Sequence, residues 1–128
     1  MIGAEPYNQA VRNNFQSPAH AGDLSRDYPQ VLRAGAAESE NGPRLVLAAG
    51  VVDEVIIEMR YRVWGCPHLI AAAEALCNER ERGAVAGLSV FALAELMELL
   101  AIPVEKTGRI LLLEDALNSL WLQYSGAG

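Results

Sequence analysis

Tyr61-Arg62-Val63-Trp64-Gly65-Cys66-Pro67-His68 joins two kinds of periodicity, and its reading decides the fold. Upstream, Val55 to Trp64 alternates: Val55, Ile57, Met59, Tyr61 and Val63 stand against Ile56, Glu58, Arg60, Arg62 and Trp64. Polar residues fall mainly in the second set, the pattern of an antiparallel strand packed on one side. Downstream, Leu69, Ile70, Ala73, Leu76 and Cys77 recur at helical spacing, and the run stops near Gly83. Pro67 suits a first helical position, where a missing N–H is no loss, so Cys66 falls at the N-cap. A thiol there meets the partial positive charge of a helix start, which favours thiolate.

Working outward, Arg44 to Ala49 is a short apolar strand, and Gly50 to Glu54 reads as the hairpin connection to Val55. Residues 25–43 form a polar region broken by Gly35, Asn41, Gly42 and Pro43, within which Gln30 to Ala37 has the composition of a strand. Before it, Ala21 to Leu24 reads as a turn. Tyr7, Ala10, Val11 and Phe15 predict a short amphipathic helix over 6–16, which Ser17-Pro18 ends. Toward the C-terminus, Ser89 is the expected cap of a helix over Val90 to Leu100 that Pro103 terminates. A last helix runs from about Gly108 to Tyr124. This order predicts a single α+β domain over 1–128, with a small antiparallel sheet of about three strands covered by helices.

The chain has 128 residues, 52% of them hydrophobic, and a net charge of −6 with ten Lys plus Arg. That balance opposes a phosphate-dominated nucleic-acid binder, although Arg26, Arg33, Arg44, Arg60 and Arg62 could form a local patch if the fold gathers them. No basic-then-apolar leader opens the chain, and no apolar run approaches a membrane span. The expectation is a cytoplasmic, reducing setting, in which two cysteines make no disulfide framework. Cys66 and Cys77 lie about 16 Å apart along a helix axis at about 1.5 Å per residue. A metal–sulfur bond of about 2.3 Å cannot span that gap, and Cys77 reads as a small buried hydrophobe.

Several segments in register resemble the U-type iron–sulfur cluster scaffolds, the IscU / NifU N-terminal family. Val11 to Pro18 with Ala21-Gly22 is similar to the opening helix of that family. Val55 to Cys66 is similar to the strand that enters its Tyr-Gly-Cys turn. Ala71-Ala72-Ala73 sits where the family has Ala and Ser on its long helix, and Leu113-Glu114-Asp115-Ala116-Leu117 is similar to its Ala-Glu-Asp-Ala-Ile. The resemblance implies an α+β, IscU/NifU-like fold and a role in iron–sulfur cluster assembly. It also implies a cysteine-desulfurase-like sulfur donor and cluster-accepting apoproteins as partners, and a scaffold instead of a conventional enzyme.

The family holds its cluster with three cysteines, and only Cys66 matches one. The first family position falls in Glu38-Ser39-Glu40-Asn41-Gly42, and Arg109 stands at the third. The family's chaperone-recognition segment, Leu-Pro-Pro-Val-Lys, here reads Ile102-Pro103-Val104-Glu105-Lys106. Cys66, His68 and Glu40 would be a weak set for a single Fe or Zn ion, with Glu38, Asp23 and Asp53 as further carboxylates. They are poor ligands for an iron–sulfur cluster, which wants mostly thiolate. Otherwise His68 reads as a solvated residue of the first helical turn, and His20 as an ordinary surface residue. What remains is a thiol that Arg60, Arg62 and Arg109 would activate, suited to accepting a persulfide from a donor. A structural paralogue that binds a partner is the third reading.

Overall fold

A computed structural model describes residues 19–126; the helix expected over 6–16 lies outside them. Three strands, β1 (Gln30–Ala37), β2 (Arg44–Val52) and β3 (Val55–Trp64), form one antiparallel sheet in the order β1-β2-β3. Helix α1 (Pro67–Arg80), the short α2 (Leu93–Leu99) and the long α3 (Thr107–Ser125) follow. Two single 3₁₀ turns, Val85–Ser89 and Val104–Lys106, precede α2 and α3. The α+β architecture matches the expectation, with α3 packed on β1 and β2 and α1 on β3.

The β2–β3 hairpin turns at Asp53 and Glu54, whose φ values of 49° and 64° match the right-handed sheet twist. Strand β2 therefore continues to Val52, past the Ala49 expected from its apolar run. The register slips by one residue in β3: Gly50 faces Glu58, but Val51 faces Ile56. Ile57 is the extra residue of a bulge, and the strand's faces exchange there. Met59, Tyr61 and Val63 turn inward as the alternation predicts, but Ile56 is fully buried where its polar-set membership predicts the reverse.

Residues 25–43 contain the strand expected over Gln30 to Ala37. β1 occupies their centre, and Ser25 and Tyr28 are tied to Glu58 on β3: the Ser25 N–H donates to both carboxylate oxygens at 3.0 Å, and the Tyr28 hydroxyl donates at 2.6 Å. Residues 38–43 form a turn, closed by Glu38 N–H donating to Pro43 O at 3.1 Å. Both sheet edges carry partners along part of their length, which limits exposed pairing templates. Along β3, Tyr61 exchanges hydrogen bonds with His20 and Gly22, and Met59 N–H donates to Glu81 Oε2 at 2.8 Å. Ile56 bonds to Arg82 and Gly83. Along β1, the Gln123 side-chain amide both accepts from Arg33 N–H and donates to Arg33 O at 2.6 Å.

α1 begins as the sequence predicts, with Cys66 at the N-cap and Pro67 at the first position. Ser89 does not cap the next helix. Its hydroxyl donates back to Ala86 O at 2.6 Å, closing the preceding 3₁₀ turn, and Val90 is extended at φ −121°. Arg80 fixes that geometry by donating to Gly87 O at 3.0 Å and Val90 O at 2.8 Å. α2 consequently starts three residues late and spans under two turns. α3 buries Ile110, Leu112, Leu113, Ala116, Leu117 and Leu120 against the sheet. At about 1.5–3 kcal/mol for each large side chain, this face is a main anchor of the core. No helix among the described residues is long and apolar enough to cross a membrane.

Candidate functional site

The end of β3 and the start of α3 converge on Cys66. Gly65 ends the strand, leaving the thiol half-buried at the α1 N-cap, where its carbonyl accepts the Leu69 and Ile70 N–H groups at 3.0 and 3.2 Å. Burial pushes the thiol pKa up. The Leu69 N–H, a hydrogen bond from Arg109 and the charge of Lys106 outweigh it, and the net effect is a thiol below its ordinary value. Arg109 acts as expected; Arg60 and Arg62 do not. Arg60 is occupied in the middle of β3, bonding Glu58 at 2.9 Å and Glu81 at 2.7 Å. Arg62 points out from the sheet's far face, where its charge acts on Asp23. Lys106, in the segment compared with a chaperone motif, takes their place. Its contribution was hidden in the sequence because the tight turn Val104–Lys106 brings it round to the thiol, its exit fixed by the Thr107 hydroxyl donating to Val104 O at 2.6 Å.

His68 is 3% exposed, contrary to the solvated reading, because α1 is buried on nearly every side. Burial first, then Lys106 and Arg109, lower its pKa and favour the neutral ring. Glu40 is exposed in the 38–43 turn. Its neighbour Glu38 comes closer to the thiol's surroundings: a Cβ on Gly108 would lie 3.7 Å from Glu38 Oε2, beside Arg109. Asp53 is in the distant hairpin turn, and Asp23 bonds Arg33 at 3.1 Å. Among the described residues no three His, Cys, Asp or Glu side chains stand where they could hold a metal ion, so Cys66, His68 and Glu40 are not brought together as a set. Cys77 is fully buried, and burial with Glu74 and Glu81 nearby raises its thiol far above the ordinary range, as a core residue requires.

His20 is the larger surprise. It is 8% exposed, and its ring is bracketed by Glu74 on Nδ1 and by Glu81, 3.1 Å from Nε2. Its own N–H donates to Glu74 Oε1 at 2.9 Å. Glu81 continues to Arg60 and thence to Glu58, so one chain of charge-assisted bonds fastens residues 20–28 across β3 and α1. Every member has a partner, which is the arrangement of a structural clasp and not of an open reactive site.

The NifU-like N terminal domain family model matches residues 6–127. Among solved structures, a putative iron–sulfur cluster assembly scaffold protein for the SUF system from Fervidobacterium islandicum superposes with a TM-score of 0.71 at 10% identity, covering 90% of this chain and 96% of that one. The N-terminal part of a nitrogen-fixing NifU-like protein from Brucella abortus gives 0.71 at 14% identity, covering 94% and 95%. At these identities the likeness is one of fold. No curated protein matches the sequence significantly.

Proposed function

Because the chain belongs to the family of NifU-like N-terminal domains, we propose that it serves iron–sulfur cluster assembly as a sulfur acceptor, with Cys66 as the accepting group. The observation that carries this reading is the pairing of a half-buried, lowered-pKa thiol with Arg109 and Lys106, where among the described residues no metal-holding set of side chains converges. Two cations next to one thiolate repel iron and favour the anionic sulfur. The donor set does not fit a cluster held by this chain alone, and the cluster enters the account only as the downstream product to which the sulfur contributes.

In the transfer, the Cys66 thiolate attacks the terminal sulfur of a donor persulfide, R–S–SH. A bond forms between Cys66 Sγ and that sulfur. The donor's S–S bond breaks, and its electron pair leaves on R–S⁻. Cys66 becomes the persulfide, the number of electrons is conserved, and no outside oxidant takes part. Arg109 stabilises the attacking thiolate and then the persulfide anion. The neutral, buried His68 gives the site a dry wall at the first turn of α1.

Isotopically labelled sulfane sulfur from a cysteine-desulfurase-type donor tests this. The wild-type chain is expected to retain the label and Cys66→Ser to lose it; equal retention by both proteins would remove Cys66 from the account. Membership of the family also supports a second reading, a scaffold that completes its ligand set with residues of a partner. Iron bound only when the donor protein is present would favour that alternative.

A further inference from the structure

Four strand arginines of this acidic chain stand on the sheet face away from the helices; Arg60 is held by Glu58 and Glu81, and the other three, Arg33, Arg44 and Arg62, gather around adjoining depressions. The pairing register makes that face a small grid. Arg44 stands directly opposite Trp64, and Val46 opposite Arg62; on the other side Gly35 faces Val46 and Ala37 faces Arg44. Gly35, Ala37 and Val46 make a shallow apolar floor. Arg33 borders it on one side, and Arg62 and Trp64 on the other. Trp64 is 46% exposed although it is a large apolar side chain, and the Arg44 guanidinium lies 4.6 Å from its ring centroid. Adjoining depressions meet at this tryptophan. Residues 22–28 cover the neighbouring part of the same face, where the Tyr28 ring packs over Gly50, and leave this part open.

We propose that the Trp64 face is a docking surface for an acidic segment of a partner protein that also presents an apolar side chain. Charge complementarity points to this occupant. Neither Arg44 nor Arg62 is in an ion pair among the described residues, and the acid lining the depressions, Asp23, is already bonded to Arg33. Arg44 is held over the indole, which pre-organises its donors for a carboxylate. The floor of small side chains admits an apolar group close to the backbone. A second copy of this chain fits badly, since it would set guanidinium against guanidinium, and a net charge of −6 opposes a phosphate backbone. Gly65 alone separates Trp64 from Cys66, so a segment seated here brings its protein to the thiol. The inference therefore deepens the proposed sulfur acceptance by giving the partner's chemistry.

The test uses Trp64 fluorescence in protein carrying Trp121→Phe and Cys66→Ser, so that neither the other tryptophan nor sulfur chemistry contributes. The probe is a synthetic peptide repeating Glu-Leu-Asp, compared with a Lys-Leu-Arg repeat and an oligouridine RNA. A saturable shift with the acidic peptide is expected. It should weaken at least tenfold in Arg44→Glu/Arg62→Glu, and likewise when salt rises from about 50 to about 500 mM. Arg44→Gln/Arg62→Gln, intermediate in effect, serves if the charge-reversed variant does not fold by circular dichroism. No saturable shift, a shift indifferent to both arginine variants, or equal or tighter binding of the basic peptide or RNA would overturn the proposal. Sulfur uptake by otherwise wild-type protein is read separately, so failure at Trp64 is distinguishable from failure at Cys66.

Discussion

At the residue scale, the chemistry of Cys66 depends on side chains that its own neighbours in sequence do not supply. Arg109 is 43 positions away in the numbering and reaches the thiol because α3 starts beside α1. Arg109→Ala should raise the thiol pKa, moving the pH midpoint of Cys66 alkylation upward, and Lys106→Ala should act in the same direction. An unchanged midpoint in Arg109→Ala would show that the helix start alone sets the reactivity. The two histidines were misread for a related reason. His20 looks like a turn residue and His68 like a polar first-turn residue, but burial depends on which elements cover them, and local sequence does not encode that. Removing His20 leaves Glu74 buried without its main partner. His20→Ala should therefore cost about 3 kcal/mol in urea unfolding, and a loss within experimental error would mean that the clasp contributes nothing.

At the element scale, the strand–glycine–cysteine–proline junction was legible because each residue carries its own conformational bias. Proline fixes the first helical φ, and alternation marks the strand before it. The bulge at Ile57 was not legible, since a hairpin turning at Asp53-Glu54 and one turning a residue earlier read alike until the strands pair. α2 was lengthened in the reading because Ser89 looks like a cap, whereas its hydroxyl is used by the turn behind it. The packing of Tyr28 on Gly50 gives a sharp test at this scale. A Cβ at Gly50 would lie 2.2 Å from Tyr28 Cδ2, so it must displace the ring and break its bond to Glu58. Gly50→Ala should destabilise by about 2 kcal/mol. The double variant with Tyr28→Ala should lose less than the sum of the two single changes, and strict additivity would contradict the packing described.

At the scale of the whole molecule, one clasp and one reactive end divide the charges between them. Glu58 and Glu81 are each raised by burial but lowered more by their donors, chiefly Tyr28 and Ser25 for Glu58 and Met59 N–H and Arg60 for Glu81. Because their folded-state pKa values lie below the unfolded ones, their stabilisation is full above an unfolded carboxylate pKa of about 4.3 and is lost as pH falls through the folded values. Unfolding free energy should thus decline in that acid window, and less steeply in Glu58→Gln; parallel slopes would mean that Glu58 is not linked to folding. Away from that clasp, Cys66, Lys106 and Arg109 meet at the starts of α1 and α3. On the proposed function, this chain by itself takes up sulfur and does not hold a cluster. The most direct measurement counts sulfane sulfur and iron per chain after the purified protein is exposed, anaerobically, first to a persulfide donor and then to iron and sulfide. One sulfur on Cys66 and no stoichiometric iron are expected on this proposal. Iron and sulfide retained in stoichiometric amounts by the chain alone, or no sulfur on Cys66, would contradict it.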